Sequence, residues 1–405
     1  MQKYCLYLEP SVFIFRSSTS TLLYDSNTNK YVLFSGDELF DLDFIISELQ
    51  DLDNMYSIEL SDSDLQDTSI KNFISQIRKN YMGDLYPYSR RKVRVVPPML
   101  KCHFPYSSLK KGENVITLLN EITFQLNGIC NLSCDFCSLY QRQFNNCCKR
   151  TGYLSVEFVI NQLNQILNTT SSIKMNFLGG DIFQYSKIDV LIDYLKDRKL
   201  KANFYTHYKN WNEICCRNIL VNGNYLHVIV NDFQDIQIDN IYTIIKQTSD
   251  YLSQVYFRFV IHLDEDLEVV NELLEKYPIE YSLIPFFDGN NMRFFVENVF
   301  LNQKDILERK NSKIDIYHRQ TFNLHDMGKL IQTSDGLYYS NLNFPSLGNS
   351  NDHILDVITR ELNSGFAWKR TRDEKPCIDC VFQYLCPSPS NYEIALNKNN
   401  LCFIK

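Results

Sequence analysis

Glu121-Ile-Thr-Phe-Gln-Leu-Asn-Gly-Ile-Cys130-Asn-Leu-Ser-Cys134-Asp-Phe-Cys137 is the stretch on which the reading of this chain turns. Its opening, Ile-Thr-Phe-Gln-Leu, reads as a β-strand that runs directly into a short loop with cysteines at spacings of four and three. Three thiolates with no nearby fourth ligand can hold three irons of a 4Fe-4S cube and leave the last iron open to something other than protein.

This strand is the first of six apolar candidates that recur from about residue 120: ITFQL, IKMNFL, ANFYT, LHVIV, VYFRFVI and YSLIPFF. Between them lie amphipathic stretches: VEFVINQLNQIL (156–167), whose Phe158, Ile160, Leu163 and Leu167 cluster on roughly one face, VLIDYLKD (190–197), and the helix-like WNEICCRNIL. Alternating strand and helix means parallel strands joined by right-handed crossovers. Six such units fall two short of a closed eightfold barrel, so the sequence predicts an α/β fold with an open, partial (β/α)6 TIM-like barrel. In such barrels the chemistry sits at the carboxyl ends of the strands.

The chain has 405 residues, enough for two or three domains. Its 41 Lys+Arg against 48 Asp+Glu give a net charge of −7, no match for a nucleic-acid backbone. A hydrophobic content of 44%, with 14% aromatics, excludes general disorder. The amino terminus lacks a basic segment followed by an apolar stretch, and no run approaches the roughly 18 apolar residues of a membrane span. A soluble cytoplasmic protein without membrane partners is expected. Thirteen cysteines in such a chain argue for metal or redox chemistry over disulfides.

Residues 1–88 open with CLYLE, VFIFRS, TLLYD and YVLFS, with Asn-Thr-Asn at 27–29 as a turn, followed by helical segments near 37–50 and 67–80. They predict a small α+β domain built on one three-stranded sheet, suited to docking. SRRKVRVVPPML (89–100) carries four basic residues and a Pro pair and opens a linker over 89–117. The barrel is expected over 118–290, a bridging helical segment over 291–330, and a cysteine-bearing domain over 331–405.

Cys377, Cys380, Cys386 and Cys402 give four soft ligands near the end of the chain, a set that can hold zinc or an iron-sulfur cluster. Cys5, Cys102, Cys215 and Cys216 read as small buried hydrophobes. Cys147 and Cys148, in the polar QRQFNNCCKRTG, stay open between no metal role, a redox or substrate contact, and completion of a zinc site with Cys134 and Cys137.

Cys130-x3-Cys134-x2-Cys137 after the first barrel strand resembles the radical S-adenosylmethionine (SAM) enzymes. The resemblance implies that the open iron chelates the amino and carboxylate groups of SAM. An electron from the cluster then cleaves the sulfonium to methionine and a 5′-deoxyadenosyl radical, which abstracts hydrogen from substrate. It implies that Gly179-Gly180-Asp181, where the family commonly shows Gly-Gly-Glu, receives the methionyl ammonium, Asp181 being one methylene shorter. Phe136 matches the aromatic beside the adenine, and Thr206, Asn231 and Arg258, each in or just past a later strand, are candidates for the ribose and carboxylate.

The carboxy-terminal spacing C-x2-C-x5-C plus a later cysteine resembles the SPASM extension, in which such a set ligates an auxiliary 4Fe-4S cluster. Full SPASM domains carry a further cysteine where Ser390 stands and others around a glycine hairpin, where MGKLIQTSDGLYYSNLN has none. Two clusters are therefore expected, not three. Cys386-Pro-Ser-Pro-Ser-Asn-Tyr-Glu393 is similar to the radical SAM/SPASM peptide maturases of Bacteroidales-type clusters for ribosomally made, modified peptides. This resemblance implies an oxidoreductase whose partners are a precursor peptide with a Gly-Gly leader and a reducing electron donor such as flavodoxin or ferredoxin. It also implies that residues 1–88 form a winged-helix-like, precursor-recognition domain that takes the leader as an added strand. Two rivals are a superfamily enzyme acting on a folded protein or small molecule, as sulfatase-maturing relatives do, and a non-catalytic metal scaffold. The sequence names no catalytic acid, base or radical donor, and does not fix the bond installed.

Overall fold

Among the described residues of the first 88, six strands form: β1 (Lys3–Leu8), β2 (Val12–Arg16), β3 (Ser20–Asp25), β4 (Tyr31–Ser35), β5 (Ser57–Ser61) and β6 (Gly83–Pro87), the first four from short apolar runs. Helix α1 (Asp37–Gln50) follows β4, and α2 (Thr68–Lys79) precedes β6. In this computed structural model the described residues are 2–88, 94–98, 115–170, 172–233 and 235–404. Most of the expected linker, and Cys102, lie outside them.

The strands form two antiparallel three-stranded sheets, β5-β1-β6 and β2-β3-β4, not one. The four strands expected from sequence are present, but β1 splits from the other three and takes partners that carry weak signals. SIELS alternates with polar residues, and GDLYP holds a glycine and a proline that an edge strand tolerates. Gly83 is required there, because a Cβ would lie 2.1 Å from the Tyr7 carbonyl oxygen. Helix α2 starts on Asp67, whose side chain accepts from the Ser69 and Ile70 amides, and buries Phe73, Ile74 and Ile77.

The second body is a large α/β sheet. Strands β7 (Glu121–Gln125), β8 (Lys174–Leu178), β9 (Asn203–His207), β10 (Tyr225–Val230), β11 (Val255–Ile261) and β12 (Glu280–Pro285) pair in parallel and in sequential order. All six expected strands are there. Helix α3 (Cys137–Gln143) follows the cysteine loop, and α4 (Val156–Leu167), α5 (Ile188–Asp197), α6 (Glu213–Val221), α7 (Asp235–Gln247) and α8 (Asp264–Lys276) fill the connections. Three short helices, α9 (Met292–Asn298), α10 (Gln303–Leu307) and α11 (Lys313–Thr321), lead to β13 (Lys329–Gln332), β14 (Leu337–Tyr339), β15 (Gly348–Asn349), α12 (Ile354–Ser364) and α13 (Asn391–Leu396). Strand β13 joins β7 in parallel, so the cysteine-free glycine hairpin extends the sheet on that side, while β12 is its other edge.

Alternation along the strands gives the sheet two unlike faces. Ile122, Phe124, Phe177, Phe204, Val228 and Phe257 pack with the helices in one core. The opposite face carries Thr123, Gln125, Asn176, Tyr205, His227 and Arg258, a polar lining that leaves room for ligands. Helix α4 turns one notch from the expected stripe: Val156, Val159, Leu163 and Ile166 are buried, and Phe158, Ile160 and Leu167 flank them. A 3.6-residue period admits both stripes, and the packing against the sheet selects one.

A third cluster joins the two ends of the chain. Phe13, Phe15, Leu22 and Tyr24 of β2 and β3 pack on Ile306, Ile316, Val381, Phe382 and Leu385. The Tyr24 hydroxyl donates to the Asn311 carbonyl at 3.2 Å, and the Asn311 amide donates back at 3.0 Å. Among the described residues no disulfide forms, and none of their helices is long and apolar enough to cross a membrane. Phe13 is fully buried in this seam. Phe13→Ala is expected to cost about 3–5 kcal/mol, read as a lower urea midpoint at unchanged slope; a cost below about 1 kcal/mol contradicts the packing.

Candidate functional site

The cysteine loop leaves β7 between two other stretches of backbone. The Gly180 and Asp181 amides donate to the carbonyls of Asn127 and Ile129 at 3.0 and 2.5 Å, and the Arg150 amide donates to Gly128 at 3.1 Å. A Cβ on Gly180 would lie 2.3 Å from the Ile129 oxygen, and one on Gly128 would lie 1.9 Å from the Arg150 oxygen. Only glycine permits such approach. Asn127, a residue the sequence reading passed over, ties the same loops by donating to the Asp181 carbonyl at 3.0 Å and accepting from the Ile129 amide at 3.1 Å.

This clamp gathers thiols. Burial first, and then the neighbouring Cys137 and Cys130, push the Cys134 thiol up to about 11. Cys137 is held down at about 6 by a hydrogen bond from Cys148, and the Lys149 amide donates to its sulfur at 3.2 Å. The Asn210 side chain donates to Cys130 at 3.7 Å. Each thiolate raises the cost of ionising the next, and an iron cluster removes that cost on ligation. Thiolates receiving N–H donors fit a 4Fe-4S cube. Cys147 and Cys148 are both buried: Cys148 holds its proton against Cys137, and burial raises Cys147. Among the described residues no three His, Cys, Asp or Glu side chains converge on one ion; in a cube each thiolate meets its own iron.

Beside the loop a cavity of about 680 Å³ opens across the carboxyl ends of the parallel strands. Cys134 and Phe136 line it with His207, Asn231, His262 and Asp288, which stand at or just past the ends of β9, β10, β11 and β12. The Lys209 amide donates to His207 Nδ1 at 3.2 Å, so the ring proton sits on Nε2 and is given to Asn231 Oδ1 at 2.8 Å. Burial holds His207 neutral, down to about 4. His262 shares a 3.2 Å hydrogen bond with the Tyr140 hydroxyl and lies tilted against Phe136, their ring centres 6.1 Å apart. Asp135, Asp232, Glu265, Asp266 and Asp288 face only one lysine, Lys209, among the charged lining residues. The cavity suits a cation.

The expected cosubstrate residues divide. Phe136 and Asn231 line this cavity; Gly179, Gly180, Asp181, Thr206 and Arg258 are not among its lining residues. The Asp181 carboxylate caps the turn that follows it, accepting from the Phe183 amide at 3.1 Å and the Gln184 side chain at 3.0 Å. Thr206 is buried on the face that Phe204 shares with the helices, and Arg258 lines a second cavity. His207 and His262 were missed, although each is readable as a polar residue closing a strand, in ANFYTH and VYFRFVIH.

At the other end, burial first, then Cys380, Cys402 and Cys377 against the opposing pull of Arg372, push Cys386 up to about 12. The Arg372 guanidinium donates to Cys377 at 3.7 Å, and the Asn400 side chain donates to Cys402 at 3.3 Å. Arg372 is paired at 2.9 Å with Glu393, both nearly sealed from solvent. Four neighbouring thiols, three of them acted on by the buried Arg372, fit an anionic cluster held by four cysteines. Ser390 is the cap of α13: its side chain accepts from the Tyr392 amide, and Glu393 reaches back to its own amide.

No family model matches this sequence, and no curated protein matches it. The chain is similar to the crystal structure of Streptococcus suis SuiB, with a TM-score of 0.50 and 13% identity over 98% of this chain and 100% of that one. It also aligns with SuiB bound to S-adenosylmethionine (TM-score 0.47, 12% identity, 98% of each chain). A third alignment is with histidine-tagged anSMEcpe with bound AdoMet (TM-score 0.48, 14% identity, 69% of this chain and 92% of that one). The first of these shows a shared fold.

The neutral, buried His207 has a signature in stability. Its folded pKa, about 4, lies below the ordinary value of 6.5, so the unfolded chain binds the proton more tightly between the two. Stability from this group is whole above pH 6.5 and falls as the pH drops toward 4, by about 1.4 kcal/mol per pH unit. Urea melts across that window are expected to show this slope reduced in His207→Asn; an unchanged slope contradicts the burial.

Proposed function

We propose that this chain is a radical SAM enzyme that modifies a ribosomally made precursor peptide. The observation that carries the reading is the placement of Cys130, Cys134 and Cys137 in one loop at the carboxyl end of β7, beside an acidic cavity of about 680 Å³. Cys130, Cys134 and Cys137 would hold a 4Fe-4S cube there, and that cube would supply the electron for reductive cleavage of SAM.

The chain's own residues do the binding and positioning. The five carboxylates of the cavity favour a ligand with a sulfonium and an ammonium. Phe136 offers a ring to the adenine, and Asn231, held by His207 and Tyr140, lines the cavity on the side assigned to the ribose. Gly179, Gly180 and Asp181 act by holding the cysteine loop in register, a positioning role that accounts for the glycines without direct contact. The sheet's polar inner face takes substrate away from bulk water. Cys377, Cys380, Cys386 and Cys402 would hold a second cube with Arg372 as its counter-charge, in a SPASM-like domain that follows a six-unit partial barrel.

The amino-terminal module supports a peptide substrate. Among the described residues strand β4 is a free sheet edge, and beside it α1 exposes Phe40 and Phe44 over a surface cavity of about 810 Å³. An unpaired strand edge flanked by exposed aromatics is the chemistry that captures an extended leader peptide.

Anaerobic reconstitution is expected to give about eight irons per chain, four per cube, and reductant-dependent 5′-deoxyadenosine. Changing Cys130, Cys134 and Cys137 together to Ala should leave about four irons and abolish SAM cleavage. With a precursor peptide encoded beside the gene, mass spectrometry is expected to show a mass change that requires the leader. Stoichiometric zinc without cleavage would contradict the enzyme reading, and modification independent of the leader would contradict the peptide assignment.

A further inference from the structure

The second cavity, of about 370 Å³, lies between the polar inner face of the sheet and the carboxy-terminal hairpin. Glu121, Arg258 and Lys329 reach it from the sheet, Asn145 from the stretch after α3, and Asp326 and Tyr392 from the far wall. Most of its charges are matched within the protein. Glu121 lies 3.5 Å from Lys174 and 3.9 Å from Lys329, and accepts from Asn176 at 2.7 Å and Asn145 at 3.2 Å. Asp326 lies 3.5 Å from Arg370 and accepts from Asn341 at 3.0 Å.

Arg258 is the exception. Among the described residues no carboxylate stands within ion-pair distance of it, and its Nε is buried without a hydrogen-bond partner. Its guanidinium lies over the Tyr205 ring, 5.3 Å from the ring centre, and hydrogen-bonds to the Tyr205 hydroxyl, which anchors it on that side chain. A sheltered guanidinium without a counter-ion is costly unless a ligand supplies one. Four residues, about 13 Å along β11, separate it from His262 in the cosubstrate cavity. Tyr140, Val260 and Phe286 belong to an apolar cluster beside that strand. Arg258 thus belongs to a different ligand.

We propose that this cavity binds a carboxylate of the peptide substrate, with Arg258 as its counter-ion and the residue that sets this specificity. The inference rests on the peptide-modifying function proposed above. A planar fork held on an aromatic ring matches a carboxylate through two parallel hydrogen bonds. The volume suits one or two amino-acid residues, so the carboxylate is an Asp or Glu side chain or the peptide's own terminus.

The test needs neither radical chemistry nor the natural substrate. The reconstituted full chain is titrated, by saturation-transfer NMR, with N-acetyl-glutamate N-methylamide, N-acetyl-glutamine N-methylamide and free N-acetyl-alanine. At least one acid is expected to bind about tenfold or more tighter than the neutral glutamine compound, and Arg258→Gln to abolish that preference. The tighter acid identifies the source: the glutamate compound a side chain, the alanine compound a terminus. Equal binding of all three, binding of neither acid, or a preference that survives Arg258→Gln overturns the proposal. If Arg258→Gln does not fold, the acid-over-amide preference of the unaltered chain decides. SAM cleavage is measured on the same preparation: cleavage without carboxylate preference overturns this inference alone, and preference without cleavage overturns the functional reading alone.

Discussion

Three strips of backbone, at Asn127–Ile129, Cys148–Gly152 and Gly179–Asp181, lie against one another with the Asn127 side chain tying the first to the third, and the cysteine loop at the carboxyl end of β7 takes its position from that contact. The Cys148 amide donates to the Gly179 carbonyl at 3.0 Å and the Gly128 amide donates to Gly152 at 3.3 Å, so the strips are stitched as well as packed. One strip launches Cys130, Cys134 and Cys137. Another carries the Lys149 amide that meets the Cys137 sulfur. The thiols are therefore aimed by hydrogen-bonded main chain, a support far stiffer than a free loop, and a metal cluster needs such preorganisation to hold its ligands in one geometry.

The two thiol groups are set in different surroundings. The first borders an acidic cavity, and its Cys137 is eased toward the thiolate by Cys148 and Lys149. The second lies beside the amino-terminal sheet, with Cys380 and Cys386 against the apolar seam that Phe13, Phe15 and Tyr24 complete. The buried countercharge at hand there is Arg372, itself matched by Glu393. The seam also makes the amino-terminal module part of the carboxy-terminal cysteine loop's foundation.

Much of this was legible in the sequence, because the parallel strands are apolar runs of ordinary length separated by helical periodicity, and three cysteines at short spacing announce themselves. Strands β5 and β6 were hidden by their polar and glycine-proline content, which edge positions permit. The α4 stripe was read one notch away because its neighbouring apolar residues satisfy the helical period on either choice. In the site, the limit was face, not position. Thr206 and His207 are adjacent, yet strand alternation sends one to the helices and the other to the cavity, and only the register of β9 decides between them. The roles of Cys147 and Cys148 were unreadable because they depend on a backbone contact with Gly179, far along the chain.

The central claim is that three thiolates hold an iron cube whose remaining corner is free for the cosubstrate. Electron paramagnetic resonance of the dithionite-reduced protein, with Cys377, Cys380 and Cys386 changed to Ala so that one cluster remains, tests it directly. Adding SAM is predicted to shift the g-values of that cluster; a spectrum indifferent to SAM would contradict the account.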